Sequence, residues 1–337
     1  MKSPILTLAL LGSACGSLQV KPLKTSVQKP SNVAIYFTVE RGDEPVGGLA
    51  AEQFRIYEDG KLVSKYESKQ TILNPEVAVV HYTMLLVDTS ASVTESGSID
   101  AVAAAADGFA ARVAKIHQVG VYAFDGGKDL RRITGFSGSE GAVRAGLASL
   151  KAQRARDPST NLNGAIVKAL GELGKARQRA TVPLRFASLV VFTDGTDRAG
   201  YVTSEEVRKA IEDADVEVFV IGLGGEVDPR ELSSLGKNGT VFAENDAAVK
   251  KAFDDVAQRI ENMAKRYYLL SYCSPARAGT HKITLEAVKD GASGSADYEF
   301  SASGFRPDCD PGARPAFQVP GLADARREAR TASARKP

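Results

Sequence analysis

The chain has 337 residues, of which 43% are hydrophobic and 25% charged, as is ordinary for a folded protein. This length exceeds the usual size of one domain, so we expect one large domain and a smaller one. The 43 basic and 41 acidic residues give a formal net charge of +2, which argues against a nucleic-acid-binding protein, because such proteins normally carry a strongly basic surface.

Residues 1–15 predict an export signal. Lys2 precedes an apolar run, Ile5 to Leu11, and small residues and Cys15 follow it. The run is too short to cross a bilayer as a helix and is typical of a cleaved signal segment. A cysteine directly after small residues resembles the bacterial lipobox, although Gly12 stands where that pattern prefers Leu.

This resemblance implies that a lipid is attached to the Cys15 thiol and anchors the mature chain to a membrane. Gly16, rather than Asp, follows the cysteine, which resembles the address of an outer-membrane lipoprotein. Such a protein would face either the periplasm or the cell surface. The alternative is ordinary secretion without a lipid.

The segment that follows predicts a flexible linker and then a small β module. Residues 16–31 are polar and contain three lysines and two prolines, which favours a linker. Residues 32–78 begin with an alternating apolar pattern from Val33 to Val39, typical of a half-buried strand. A second short strand, Phe54 to Tyr57, precedes Asp59-Gly60, a hairpin signal.

Residues 79–266 predict an α/β domain, because apolar strands alternate there with helical patterns. We expect a doubly wound, mainly parallel, Rossmann-like sheet with helices on both faces. The predicted strands are 84–87, 119–124, 189–192 and 216–221, and the predicted helices are 99–116, 143–150, 162–174, 205–214 and 247–266.

Residues 267–309 return to short strands without helices, and we expect them to complete the β module with residues 32–78. Residues 310–337 are rich in Pro, Ala and Arg, which predicts a disordered tail. Apart from Cys15 the chain has only Cys273 and Cys309. In an exported chain we expect these two to form a disulfide; two buried free thiols are the alternative.

Polar residues follow the ends of the predicted strands in three places. They are Asp88, Ser90 and Ser92 after the first strand, Thr160 before a helix, and Asp194 after a later strand. The carboxyl ends of parallel strands meet at one edge of a sheet, so these loops should converge. Two carboxylates and three hydroxyls form an all-oxygen set, which favours Mg²⁺, Mn²⁺ or Ca²⁺ over zinc or copper.

These residues resemble the von Willebrand factor type A (vWA) family, whose metal-ion-dependent adhesion site (MIDAS) combines D-x-S-x-S, a Thr and an Asp. Asp88, Ser90 and Ser92 match the first element, Thr160 matches the second in a T-N-L context, and Asp194 matches the third in a T-D-G context. The resemblance covers roughly residues 80–265.

The resemblance implies binding of a protein partner rather than catalysis. In the family, a partner's Asp or Glu completes the coordination of the metal. Adhesion to an external surface and assembly of an envelope complex as a scaffold or regulatory subunit would use the same site. Asp125 and Asp197 lie near this edge by sequence, and we interpret them as solvated loop residues.

A metal-dependent hydrolase is the remote alternative. Asp194-Gly195-Thr196 partly matches the nucleophile loop of haloacid dehalogenase-type phosphatases, but Phe192 stands where their nucleophilic Asp would be. A serine hydrolase would need a base near Ser90, and no G-x-S-x-G motif surrounds that serine. We therefore expect no enzyme and no catalytic residue.

Overall fold

A computed structural model of the chain describes residues 17–42, 44–73, 79–182, 184–224, 227–313 and 315–317. The chain folds as two compact units. The β unit holds the described residues of Met1–Pro75 and Ala264–Phe317, and the α/β unit holds those of Glu76–Met263. The predicted export signal, Cys15 and residues 318–337 of the predicted tail lie outside the described residues.

The β unit consists of two sheets. One has the strand order β1-β2-β13-β6, with β3 beside β2, and the other has the order β15-β14-β4-β5. A short 3₁₀ helix, Ala51–Gln53, precedes β4. The strands are β1 (Leu18–Gln28), β2 (Asn32–Arg41), β3 (Glu44–Pro45), β4 (Phe54–Glu58), β5 (Lys61–Leu62), β6 (Thr71–Leu73), β13 (Tyr267–Cys273), β14 (Thr280–Lys289) and β15 (Ala292–Ser301).

Strands from both flanking segments share these sheets. In the first sheet β2 pairs with β13, with Ile35 opposite Leu270, and in the second β4 pairs with β14, with Ile56 opposite Leu285. These four side chains are fully buried and belong to one apolar core. Antiparallel strands with one apolar face each bury it against the other sheet, which explains why neither flank is a separate module.

The prediction of a flexible linker at residues 16–31 is wrong from Leu18 onward, because β1 pairs with β2 along its whole length. Leu18 and Val20 are buried, whereas Gln19 and Lys21, which alternate with them, are exposed, as expected of an edge strand with one solvated face. The register shifts just after Pro22, where a missing N–H is tolerated. This strand is not predicted from the sequence because its lysines and prolines are also typical of linkers.

The prediction of disorder from residue 310 is also wrong at its beginning. The Asn32 amide donates to the Asp310 carbonyl, and the Ser26 hydroxyl donates to the Ala316 carbonyl at 2.9 Å. These bonds hold the segment against β1 and β2. In the same unit Cys273 and Cys309 form a disulfide, with a Cα–Cα distance of 5.7 Å.

The α/β unit contains one six-stranded sheet of order β12-β11-β10-β7-β8-β9. All neighbours in it are parallel except β8 and β9. The strands are β7 (Val79–Asp88), β8 (Gln118–Phe124), β9 (Arg131–Ser137), β10 (Leu184–Thr193), β11 (Glu217–Leu223) and β12 (Gly239–Ala243). The helices are α1 (Ala91–Glu95), α2 (Ser98–Val113), α3 (Glu140–Leu150), α4 (Leu162–Arg179), α5 (Ser204–Asp213), α6 (Pro229–Leu235) and α7 (Asp246–Ala264).

Both faces of this sheet are buried, which is why its central strands are continuous apolar runs. Successive side chains of β7 alternate between two cores: Leu85 and Val87 pack with α2, α3 and α7, whereas Met84 and Leu86 pack with α4, α5 and α6. The mainly parallel, doubly wound α/β fold that the sequence predicts is therefore confirmed.

None of the described helices has the length and apolar character needed to cross a membrane.

Candidate metal centre

Asp88 ends β7 and is fully buried. The parallel register places Val87 opposite Phe192, so Thr193, the last residue of β10, lies beside Asp88. The Thr193 hydroxyl donates to Asp88 Oδ2 at 2.7 Å, and the Ser90 amide donates to Oδ1 at 2.8 Å. Two neutral donors thus hold the carboxylate in one orientation.

The two serines connect Asp88 with Asp194. Ser90 precedes α1 in an extended conformation, and its hydroxyl does not cap the helix. Instead Ser90 Oγ lies 3.2 Å from Ser92 Oγ, and Ser92 Oγ donates to Asp194 Oδ1 at 2.9 Å. The structure therefore brings four of the five predicted residues into one connected cluster. Ser92 is exposed and Asp194 is half-buried, so the cluster opens to solvent.

Thr160 is tied to the neighbouring loop through its backbone. It is buried, and its carbonyl accepts from the amides of Arg198 and Ala199 at 2.9 and 3.1 Å. These two residues belong to the loop that follows Asp194. Pro158, two residues before Thr160, accepts from the amide of Ala91 at 3.2 Å. The Thr160 segment is thereby joined to both other loops through its backbone.

The start of α4 fixes the position of this segment. Asn161 caps the helix by accepting from the Gly164 amide at 3.2 Å. A Cβ atom at Gly164 would lie 2.4 Å from Asn161 Oδ1, which only glycine avoids. Two requirements therefore explain the T-N-L-N-G sequence. Asn161 and Gly164 form the helix cap, and Thr160 is the predicted metal ligand.

Asp125 and Arg131 support the loop that contains Asp88, Ser90 and Ser92, a role that is not predicted from the sequence. An Arg131 Nη2 proton is donated to Thr89 Oγ1, and the same nitrogen lies 3.5 Å from Asp125 Oδ2. Asp125 is buried and also accepts from the amides of Gly127 and Arg156, both at 2.9 Å. The interpretation of Asp125 as solvated is wrong: it follows β8 directly, and the strand-end rule that selected Asp88 applies to it.

Asp197 is a loop-forming residue. One of its carboxylate oxygens accepts from the Asn163 amide at 2.9 Å, and the other accepts from the Gly200 amide at the same distance. Both bonds are local to the loops around the cluster. Asp197 therefore orders the loop that carries Arg198 and is not simply solvated.

Burial raises the pKa of Asp88 to about 7, and the charge of Asp194 adds to this effect. The hydrogen bonds from Ser90 and Thr193 act in the opposite direction. Within the described parts of the chain, no Lys, Arg or His forms an ion pair with Asp88. A buried carboxylate normally has a cationic partner, so this arrangement fits a bound metal ion.

The donors also fit a hard divalent ion. They are two carboxylates and three hydroxyls, and oxygen ligands suit Mg²⁺, Mn²⁺ and Ca²⁺. No group of three or more His, Cys, Asp or Glu side chains that could hold a metal occurs among the described residues. Two carboxylates would neutralise the charge of a divalent ion only formally. Both also accept hydrogen bonds from hydroxyl groups, Asp88 from Thr193 and Asp194 from Ser92. The open side at Ser92 and Asp194 borders a cavity of about 450 Å³ that could admit a further ligand.

Solved structures similar to this chain come from several organisms. Proximal thread matrix protein 1 of the mussel byssus is 15% identical, with a TM-score of 0.47, 54% of this chain covered and 48% of that chain. This chain thus spans about half of the mussel protein, one structure of which has a zinc-occupied MIDAS motif. A von Willebrand factor type A protein from Catenulispora acidiphila is 12% identical, with a TM-score of 0.46 and coverage of 94% and 79%.

The manganese-loaded TRAP protein of Plasmodium vivax is also 12% identical, with a TM-score of 0.45 and coverage of 71% of this chain and 98% of that chain. No curated protein matches the chain significantly. The model of the von Willebrand factor type A domain family matches residues 83–196, from β7 to the loop after β10. This match covers about a third of the chain, and over these residues the α/β unit is similar to von Willebrand factor type A domains.

Proposed function

We propose that the α/β unit binds a protein partner through one divalent cation, Mg²⁺ or alternatively Mn²⁺ or Ca²⁺. Asp88, Ser90, Ser92, Thr160 and Asp194 would hold the ion. The observation that supports this most directly is the hydrogen-bonded cluster of Asp88, Ser90, Ser92 and Asp194. In it the buried carboxylate of Asp88 has no basic partner among the described residues.

The residues of the chain have separate tasks in this proposal. Asp88 supplies a fixed negative charge, which Thr193 and the Ser90 amide orient. Ser90 and Ser92 present hydroxyl oxygens, and Asp194 is positioned by Ser92 at the exposed side. When bound, the ion would act as a Lewis acid with one position open to a carboxylate of the partner. No step of covalent chemistry is required, so the function is binding and not turnover.

Metal titration of the purified chain tests the site. We expect calorimetry to detect binding of Mg²⁺ or Mn²⁺ to the wild type. The Asp194→Ala variant should show no measurable binding of either ion. Glu205→Gln is the matched control, because Glu205 is an exposed carboxylate on α5 and belongs to no predicted ligand set. Equal metal affinity in wild type and Asp194→Ala would refute the site.

Partner binding is tested by a pull-down from cell-envelope extracts with and without EDTA. A partner that is recovered only with divalent metal, and is lost with Asp194→Ala, would support the proposal. A partner recovered equally with EDTA would contradict it. Adhesion and envelope assembly are then separated by the accessibility of the protein to protease in intact cells, since only an adhesin must face outward.

We further propose that the chain is exported and carries a lipid on Cys15, which would anchor it to the outer membrane. The support is the apolar segment with Cys15 after small residues. Intact-mass analysis of the mature protein should show a lipid-modified N-terminal cysteine, and Cys15→Ala should abolish it. A mature chain cleaved elsewhere with an unmodified N-terminus would refute lipidation and leave secretion as the alternative.

A further inference from the structure

A cavity of about 710 Å³ lies in the β unit, well within the size range of ligand pockets. Its wall includes Glu58 at the end of β4, Ser68 in the turn before β6, and the disulfide Cys273–Cys309. The cavity belongs to neither the metal centre nor the loops around it. It combines polar groups from four separated parts of the sequence.

Glu58 is the most deeply buried charged residue in this wall. Its side chain is only 7% exposed, its Oε1 accepts from the Tyr272 hydroxyl at 2.8 Å, and its Oε2 accepts from the Ser274 hydroxyl at 3.1 Å. Both donors are neutral. Among the described residues, no Lys, Arg or His forms an ion pair with Glu58. A buried carboxylate without a cation is energetically unfavourable, which points to a missing positive partner.

The basic residues of the wall bind other groups. His281 Nδ1 pairs with Asp59 at 2.7 Å, Arg277 donates to the carbonyls of Ser274 and Ala276, and Lys69 donates to the carbonyl of Cys309. Lys61 is exposed at the rim. The charge of Glu58 contributes to the raised pKa of His281, although His281 itself is paired with Asp59. Among the described residues, the hydrogen bonds of the Glu58 side chain come from hydroxyl groups alone.

Ser68 provides a second, independent indication of a ligand. It is 2% exposed, it lines the cavity, and its hydroxyl has no hydrogen-bond partner in the described structure. Its backbone carbonyl accepts from the Cys273 amide at 2.8 Å, so the residue is fixed in place. Buried hydroxyls are normally hydrogen-bonded, and a ligand in the cavity would supply the partner.

We propose that this cavity binds a ligand carrying an alkylammonium or guanidinium group. The cationic group pairs with the Glu58 carboxylate, and one of its N–H groups donates to the Ser68 hydroxyl. Apolar wall residues such as Val63 and Pro275 contact the aliphatic stem of the ligand. A free polyamine and a Lys or Arg side chain of another protein share this chemistry.

Calorimetry on the full chain separates these sources. The probes are spermidine, the N-acetyl methylamides of lysine and arginine, and the neutral N-acetyl-norleucine methylamide. We expect the cationic probes to bind and the neutral probe not to bind. Tighter binding of spermidine would identify a polyamine site, and tighter binding of an amino-acid amide would identify a site for a protein side chain. Absence of binding by every cationic probe at millimolar concentration would overturn the proposal.

Glu58→Gln tests the residue that carries the inference. The amide is nearly isosteric and can still bond Tyr272 and Ser274, so we expect the fold to persist. Loss of the buried charge pair should weaken cationic probes by about 30-fold or more. Glu67→Gln is the matched control, since Glu67 is an exposed carboxylate of the same wall and should change affinity by about threefold or less.

Two results would contradict the assignment of Glu58. One is unchanged affinity in a folded Glu58→Gln variant, with folding checked by thermal unfolding. The other is an equal loss in Glu58→Gln and Glu67→Gln, which would indicate general attraction to an acidic surface. The metal affinity of Glu58→Gln should equal that of the wild type, because Glu58 belongs to the β unit and the predicted metal ligands belong to the α/β unit.

Discussion

Asp88 combines two properties that normally exclude each other, namely complete burial and a carboxylate that has no basic partner in the part of the chain that the structure describes. A carboxylate in this position destabilises the folded chain when it is ionised and no metal is bound. In the proposed function, binding of a divalent ion would remove that cost. Affinity for the metal and instability of the metal-free protein would then have the same origin in this residue.

Asp88→Asn should separate the two effects. The amide is isosteric and can keep the bonds from Ser90 and to Thr193, while the buried charge is removed. We expect Mg²⁺ binding to be lost, and the metal-free variant to be more stable than the metal-free wild type by about 2 kcal/mol at pH 8. Chemical denaturation in EDTA measures the second effect. A metal-free variant less stable than the wild type would show that Asp88 is structural.

The pH dependence of metal binding follows from the same residue. Burial raises the pKa of Asp88 to about 7, so below this pH a proton competes with the metal. Between pH 8 and pH 6 the apparent dissociation constant for Mg²⁺ should rise about tenfold. Calorimetric titrations at the two pH values measure it. Affinity that is independent of pH over this interval would contradict the role of Asp88 as the buried ligand.

At the scale of the site, the sequence predicts the candidate metal ligands better than it predicts the residues that hold the loops of those ligands in place. Asp88 and Asp194 are predictable because each follows an apolar run that must be a buried strand. Asp125 follows β8 directly, so the same rule applies to it. Arg131 is not predictable, since it is the first residue of β9 and its contact with Asp125 depends on the pairing of β8 with β9, which no spacing in the sequence encodes. A charged pair buried behind the metal loop becomes visible only when β8 and β9 are paired.

At the scale of elements, strands buried on both faces are predictable and edge strands are not. The apolar runs of β7, β10 and β11 identify them directly. β9 is half-buried at the edge of its sheet and begins with two arginines, and β1 contains lysines and a proline. Edge strands bury one face at most, so their sequences resemble loops.

A further element-scale feature is a stack of three rings, in which His81 belongs to β7, His117 directly precedes β8 and Phe186 belongs to β10. The rings of His81 and His117 lie 4.5 Å apart and those of His81 and Phe186 lie 5.0 Å apart. Thr83 Oγ1 lies 2.7 Å from His117 Nδ1. Burial lowers the pKa of His81 to about 4 and that of His117 to about 2, the latter also because of the neighbouring His81.

This stack predicts acid sensitivity of the α/β unit. The unfolded chain protonates both imidazoles near pH 6.5, whereas the folded unit does so only near pH 4 or below. Their contribution to stability is therefore complete above pH 6.5 and is lost as the pH falls towards 4, by about 1–2 kcal/mol per imidazole between pH 7 and 5.

The measurement is denaturant unfolding at pH 7 and pH 5. His117→Asn, which can keep the bond to Thr83, should reduce the difference between the two pH values. His281→Asn is the control and should not reduce this difference. His281 lies in the β unit, and the Ala278 carbonyl and Asp59 raise its pKa, so its protonation at low pH does not destabilise the folded chain. An unchanged pH difference in His117→Asn would show that other groups cause the acid sensitivity.

At the scale of the whole molecule, the candidate metal centre and the other notable features of the chain belong to different units. The metal centre is contained in the α/β unit, whereas the disulfide and the Glu58 cavity are contained in the β unit. The chain leaves the β unit after β6 and returns to it at β13. The two ends of the β unit are thus far apart in sequence, and its stability depends on contacts that close a long loop, which is costly in chain entropy.

The disulfide should therefore stabilise the β unit without affecting the metal centre. Cys273 and Cys309 are 36 residues apart, and opening a loop of this length should lower the free energy of unfolding by about 3–4 kcal/mol. We expect the double variant Cys273→Ser/Cys309→Ser to lower the unfolding temperature of one calorimetric transition while Mg²⁺ affinity stays at the wild-type value. A parallel loss of metal affinity would mean that the α/β unit does not hold its site independently. An unchanged unfolding profile would mean that β-strand pairing alone maintains the β unit.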